Sequence, residues 1–156
     1  MEYSRPQLNY KEALTKAAEI CSRSEKCSFE IELKCRDWQL SKEDTKRITE
    51  YLKQGKYIDN QRYATSFVHD KFRFNKWGKI KLAYALRQKQ IEEKYIIEAL
   101  SQIPEDAYRK VLTDLLSAKA KSVKEDDPYI KRSKLIAFAQ SRGFEMEAAM
   151  KILTHL

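Results

Sequence analysis

DNQRYATSFVHDKFRFNKWGKIKLAYALRQKQIEEKYIIEALSQ, residues 59–102, holds three turns of one pattern. Asp59 can cap a helix whose apolar stripe is Tyr63, Ala64, Phe67 and Val68. Gly78 breaks that period, and KIKLAYALRQ restarts it with Leu82 and Leu86 inward. EEKYIIEALSQ carries it again on Ile96, Ile97 and Leu100, and Pro104 ends it. Three short amphipathic helices joined by tight breaks make one unit.

The same unit can be read on either side. Upstream, KEALTKAAEICSR sets Leu14, Ala17, Ala18 and Cys21 on one stripe. SFEIELKCRDW follows with Phe29, Leu33 and Trp38 on one side. Ser41 then caps a helix that buries Ile48, Tyr51 and Leu52 and stops at Gly55. Downstream, one helix carries Tyr108, Val111, Leu112 and Leu115. Asp127 and Pro128 open the next, anchored by Leu135 and Phe138, and EMEAAMKILTHL closes the chain. The expected architecture is all-α: three tandem three-helix repeats over residues 11–56, 57–103 and 104–156, behind a flexible N-terminal tail of residues 1–10. In each unit the second and third helices meet at a similar junction: DWQL, QKQI and SRGF. A left-handed residue followed by an apolar one folding back is the expected geometry. Gly143 takes it freely, whereas Gln39 and Gln90 predict a different turn.

Composition agrees. Gly and Pro number only three each in 156 residues, too few for the turns of an all-β protein. Cys21, Cys27 and Cys35 form no C-x-x-C and have no histidine at ligand spacing, so reduced thiols and no metal are expected. MEYSRPQLNY lacks the apolar run of a signal peptide, which reads as cytoplasmic, with no membrane association.

Net charge is +8, which favours an anionic partner. The middle unit has four more basic than acidic residues, and each flanking unit two more. Between residues 71 and 89 stand Lys71, Arg73, Lys76, Lys79, Lys81, Arg87 and Lys89 without one acid. Lys131, Arg132 and Lys134 form a second cluster. These cations could meet phosphates or an acidic protein surface. The helix opening near Gly78 would add free N–H donors. Phe72, Phe74 and Trp77 read first as plugs in a seam between helices; Phe74 or Trp77, if exposed, could stack on a base.

Residues 54–91 resemble the RecX family, regulators of the RecA recombinase. The likeness is carried by Tyr57, Ile58, Asp59, Arg62 and Tyr63, then by Gly78, Lys81, Leu82 and Leu86, and closed by Ile91. The pattern around Gly143 and Phe144 fits the family's closing segment, and the whole likeness spans about residues 12–155. Asn60 stands where the family usually has a second Asp, Gly55 is one place early with Lys56 before Tyr57, and Gln90 replaces a junction glycine. The resemblance implies an elongated, curved array of repeats. It implies binding to RecA and to its filament on single-stranded DNA, with inhibition of ATPase, strand-exchange and co-protease activity in DNA repair and the SOS response.

Catalysis has little support. His69 and Asp70 are helix neighbours expected to point apart, and no phosphate loop, nucleophile elbow or metal-ligand motif is present. No enzyme activity and no cofactor are expected, and without a sustained heptad the chain reads as a monomer. Direct nucleic-acid contact is possible beside RecA. Two other readings are a stand-alone helical DNA-binding protein and a helical-repeat scaffold for another acidic protein.

Overall fold

A computed structural model describes residues 6–155. Within them lie nine helices: α1 (Tyr10–Arg23), α2 (Ser28–Asp37), α3 (Lys42–Gln54), α4 (Asn60–Asn75), α5 (Lys79–Gln88), α6 (Glu93–Ser101), α7 (Glu105–Ser122), α8 (Pro128–Ser141) and α9 (Met146–Thr154). The main helix packings fall inside the triplets α1–α3, α4–α6 and α7–α9. The fold is all-α, in tandem three-helix units. The chain exposes 10687 Å², about 30% more than the surface of a compact protein of 18.5 kDa.

Side-chain caps start the helices where the sequence places them. Ser41 Oγ accepts the Asp44 N–H, Asp59 Oδ1 the Arg62 N–H at 3.0 Å, and Asp127 Oδ1 the Tyr129 N–H at 2.8 Å. Residues 1–5 of the expected tail lie outside the described residues. Leu8 and Asn9, its later part, are tied down. The Leu8 N–H donates to the Trp38 carbonyl, and Asn9 with Glu12 forms a reciprocal capping box on α1.

The three junctions share one geometry, contrary to the expectation for two of them. Gln39 and Gln90 are left-handed, at φ 61° and 54°, like Gly143 at φ 90°. The residue after each folds back: Leu40 N–H to Cys35 O, Ile91 N–H to Leu86 O, Phe144 N–H to Ala139 O, all between 3.0 and 3.1 Å. Ile91 is buried, so at Gln90 apolar burial outweighs the steric cost of the glutamine. At the end of α3 the left-handed residue is Lys56 (φ 59°), while Gly55, the expected stop, has φ −80°. The displaced glycine leaves a lysine in the strained position.

Four inward assignments fail. Ile31, Cys35 and Trp38 make the buried face of α2; Leu33 is exposed, and Phe29 turns away to pack on the second unit. Tyr51 and Ile97 are exposed, leaving Ile48 with Leu52, and Ile96 with Ala99, as the inward pairs. Apolar burial forms two clusters. One is confined to the first unit and its exit at Ile58; the other runs unbroken through the second and third units and takes in Cys27 of the first.

Candidate interaction surface

The joints between units decide where the basic residues stand. The first is largely polar. Asn60 Oδ1 accepts the Ser28 N–H at 3.0 Å, and Asn60 Nδ2 donates to Glu92 Oε1 at 3.1 Å. An aspartate there could not make the second bond while ionised. Lys89 pairs with Glu30 at 3.4 Å, and Arg62 with Glu25 at 2.7 Å. Arg62 also donates to the Lys56 and Tyr57 carbonyls, closing the turn that Asp59 caps. Cys27 is buried here, and burial pushes its thiol up to about 11, so it packs as a small apolar group.

The second joint is close backbone contact. The Gly78 N–H donates to the Arg142 carbonyl (2.8 Å) and the Ile80 N–H to the Gly143 carbonyl (3.0 Å). A Cβ on Gly78 would overlap the Gly143 carbonyl, and one on Gly143 would overlap Lys81 Cβ. The Lys79 N–H donates to the Tyr108 hydroxyl (3.0 Å), which donates to Glu145 (2.9 Å). The Phe72, Tyr108 and Phe144 rings pack in succession, with centroids 5.9 and 5.1 Å apart. Three of the N–H donors expected to be free at the start of α5, those of Gly78, Lys79 and Ile80, are therefore taken by the third unit.

The acid-free run does not form one strip. Lys71 and Lys81 converge on Trp77, their ammonium groups 5.3 and 4.6 Å from its ring centre. Lys79 lies over Tyr108, and Lys76 is the exposed, left-handed end of α4. Arg73 stands on the other side of α4, over the ring of Phe74. Among the described residues, no carboxylate lies within ion-pair distance of these five. Arg87 and Lys89 differ. Arg87 binds Glu93 at 2.6 Å, whose carboxyl it holds below its ordinary value, and Lys89 binds Glu30. In the second cluster Lys134 pairs with Glu125, while among the described residues no carboxylate lies within ion-pair distance of Lys131 or Arg132.

Trp77 is half-buried and packs edge-on to Phe67. Phe74, read as a seam plug, is 72% exposed. Arg142 was missed. Its guanidinium donates to the Asn75 carbonyl at 2.6 Å and adds a cation to this junction. The signal was its place before Gly143, which sequence alone does not join to Asn75. His69 and Asp70 come within 3.3 Å rather than pointing apart, on an exposed surface. Among the described residues no cluster of His, Cys, Asp or Glu could hold a metal ion, and no helix is long and apolar enough to cross a membrane.

Tyr63, Leu82, Leu86, Ile91 and Phe144 are buried in the shared core. Tyr57 is exposed at 43%. Residues 59–100 match the second three-helix domain of RecX, and residues 106–153 the third. A regulatory protein RecX from Chlorobium phaeobacteroides is 33% identical over 146 residues, covering 94% of each chain. The chain belongs to the RecX family of regulatory proteins. The RecX of Clostridium acetobutylicum is 26% identical over 95% of this chain, which covers 70% of that protein. The crystal structure of RecX from Lactobacillus salivarius shares the fold, with a TM-score of 0.87 at 19% identity over 94% of this chain and 96% of that one. The two matched RecX domains fall on α4–α6 and α7–α9.

Proposed function

We propose that this RecX-family protein binds RecA and its filament on single-stranded DNA, and holds the filament in a form that turns over ATP slowly. Recombinase and co-protease activity would fall with it. The observation that carries this reading is the set of cations at the junction of the second and third units, free of carboxylate partners, in a chain of this family. Arg73, Lys76, Lys79 and Lys81 are the first contacts proposed, with Lys71 and Arg142 beside them and Lys131 and Arg132 as a second patch. Arg87, Lys89 and Lys134 are weaker candidates, since each already has an acid.

The mechanism is multivalent clamping. Each unit makes a modest contact, and linkage raises the effective concentration of the next on a repeating partner. A clamp across neighbouring protomers favours one filament geometry and so opposes the changes that accompany ATP turnover. A stand-alone duplex-reading module fits less well. Glu92 and Glu93, at the start of α6, would face phosphates in a major groove.

The test is DNA-stimulated ATP hydrolysis by RecA of the same organism, titrated with this protein. Inhibition that weakens with salt, and is lost when Arg73, Lys76, Lys79 and Lys81 are together changed to alanine, is the expected result. Unchanged hydrolysis by RecA at low salt, with the protein folded, overturns the reading.

A further inference from the structure

Between α4 and the bend from α6 to α7 lies a cleft of about 570 Å³. Val68, Ala99, Ile103 and Val111 give it an aliphatic floor, with Phe72 at one edge. Its rim is polar and includes Thr65, His69, Asp70, Gln102 and Arg73. Neither joint between units requires this opening.

Arg73 makes the rim unusual. No carboxylate among the described residues lies within ion-pair distance of it. Its guanidinium is 5.5 Å from the ring centre of Phe74, a side chain 72% exposed. The nearby Asp70 carboxylate is in contact with His69. An exposed aromatic beside an unpaired arginine, at the mouth of an apolar hollow, contributes little to folding. Those residue types contribute most to binding when a partner covers them.

We propose that this cleft receives an apolar side chain from a partner protein, carried on a segment with an acidic residue that pairs with Arg73. Charge selects the acid, because Arg73 has no carboxylate within ion-pair distance among the described residues, and Asp70, the acid that lines the cleft, is held against His69. The floor selects a protein side chain over a nucleobase. Bases gain most from a flat aromatic platform. Here the floor is aliphatic, and of the rings that line the cleft Phe72 is stacked on Tyr108 while the His69 imidazole is held against Asp70. The volume suits an anchor side chain and part of its neighbour. The inference rests on the filament reading, and it makes the cleft the place where the filament protein is held.

The test measures binding of the wild type, Thr65→Trp and Arg73→Glu to RecA filaments on single-stranded DNA, and to the same DNA without RecA. Thr65→Trp fills the cleft from its half-buried rim. Gln102→Trp closes it from the exposed end of α6 should Thr65→Trp fail to fold, as read by thermal melts. The expected result is a loss of filament affinity of about ten-fold or more in each variant, with binding to bare DNA unchanged for the Trp variants. Wild-type affinity for filaments in both cleft-filling variants overturns the cleft and leaves the filament reading standing. A loss confined to bare DNA assigns the cleft to a base and also overturns the proposal. Failure of the wild type itself to bind filaments removes the filament reading, and this inference with it.

Discussion

Gln90 holds φ 54° inside a turn that Ile91 closes from a buried position. An L side chain in that region costs roughly 1–2 kcal/mol, and glycine avoids most of it. Gln90→Gly is therefore expected to stabilise the protein by about 1 kcal/mol. A urea midpoint that rises with no change in slope would show it; an unchanged or lowered midpoint would mean that the glutamine side chain contributes as much as its strain removes. The sequence marked this junction by position, through the helix before it and the apolar residue after it. It gave the wrong turn because residue type was weighed without the burial of Ile91, which only the packed unit supplies. Tyr51 and Ile97 failed for a related reason. A short helix offers two plausible stripes, and the other helices of its own unit choose between them.

At the scale of the element, α5 was legible in its start, its stripe and its end. The occupation of its first turn was not, because the partners, Tyr108 and the Arg142–Gly143 carbonyls, are supplied by another unit. Tyr108→Phe tests the arrangement. It strips the hydroxyl that serves both the Lys79 N–H and Glu145, and should cost about 1–3 kcal/mol in chemical denaturation. Burial raises the Tyr108 ionisation above its ordinary value of 10. The neutral hydroxyl's share of stability is thus complete below pH 10 and declines as pH rises above it. The wild type should lose more stability than Tyr108→Phe on going from pH 9 to 11. Equal losses would mean that the hydroxyl does not stay protonated in the fold.

For the whole molecule, the number of units was legible from periodicity, but not how firmly each is attached. The polar joint at Asn60 and the backbone joint at Gly78 both join residues far apart in sequence. Three similar units become, in energetic terms, one small body attached to a larger one with a continuous core. Ion pairs such as Lys89–Glu30 are screened by salt, whereas apolar and backbone contacts are not. Native-state hydrogen exchange should show α1–α3 opening at lower free energy than α4–α9, with the gap widening between ~0.05 and ~1 M salt. One common opening energy at every salt concentration would refute this division.

The contact between Gly78 and Gly143 also bears on how the protein would look in a genetic screen. Every missense change at either position places a Cβ into neighbouring backbone or side chain, whatever its polarity, whereas losing one lysine leaves several others on the same face. Inactive variants collected blindly would gather at these two codons, and a map drawn from them would mark the rivet that holds two units together while leaving the working face blank.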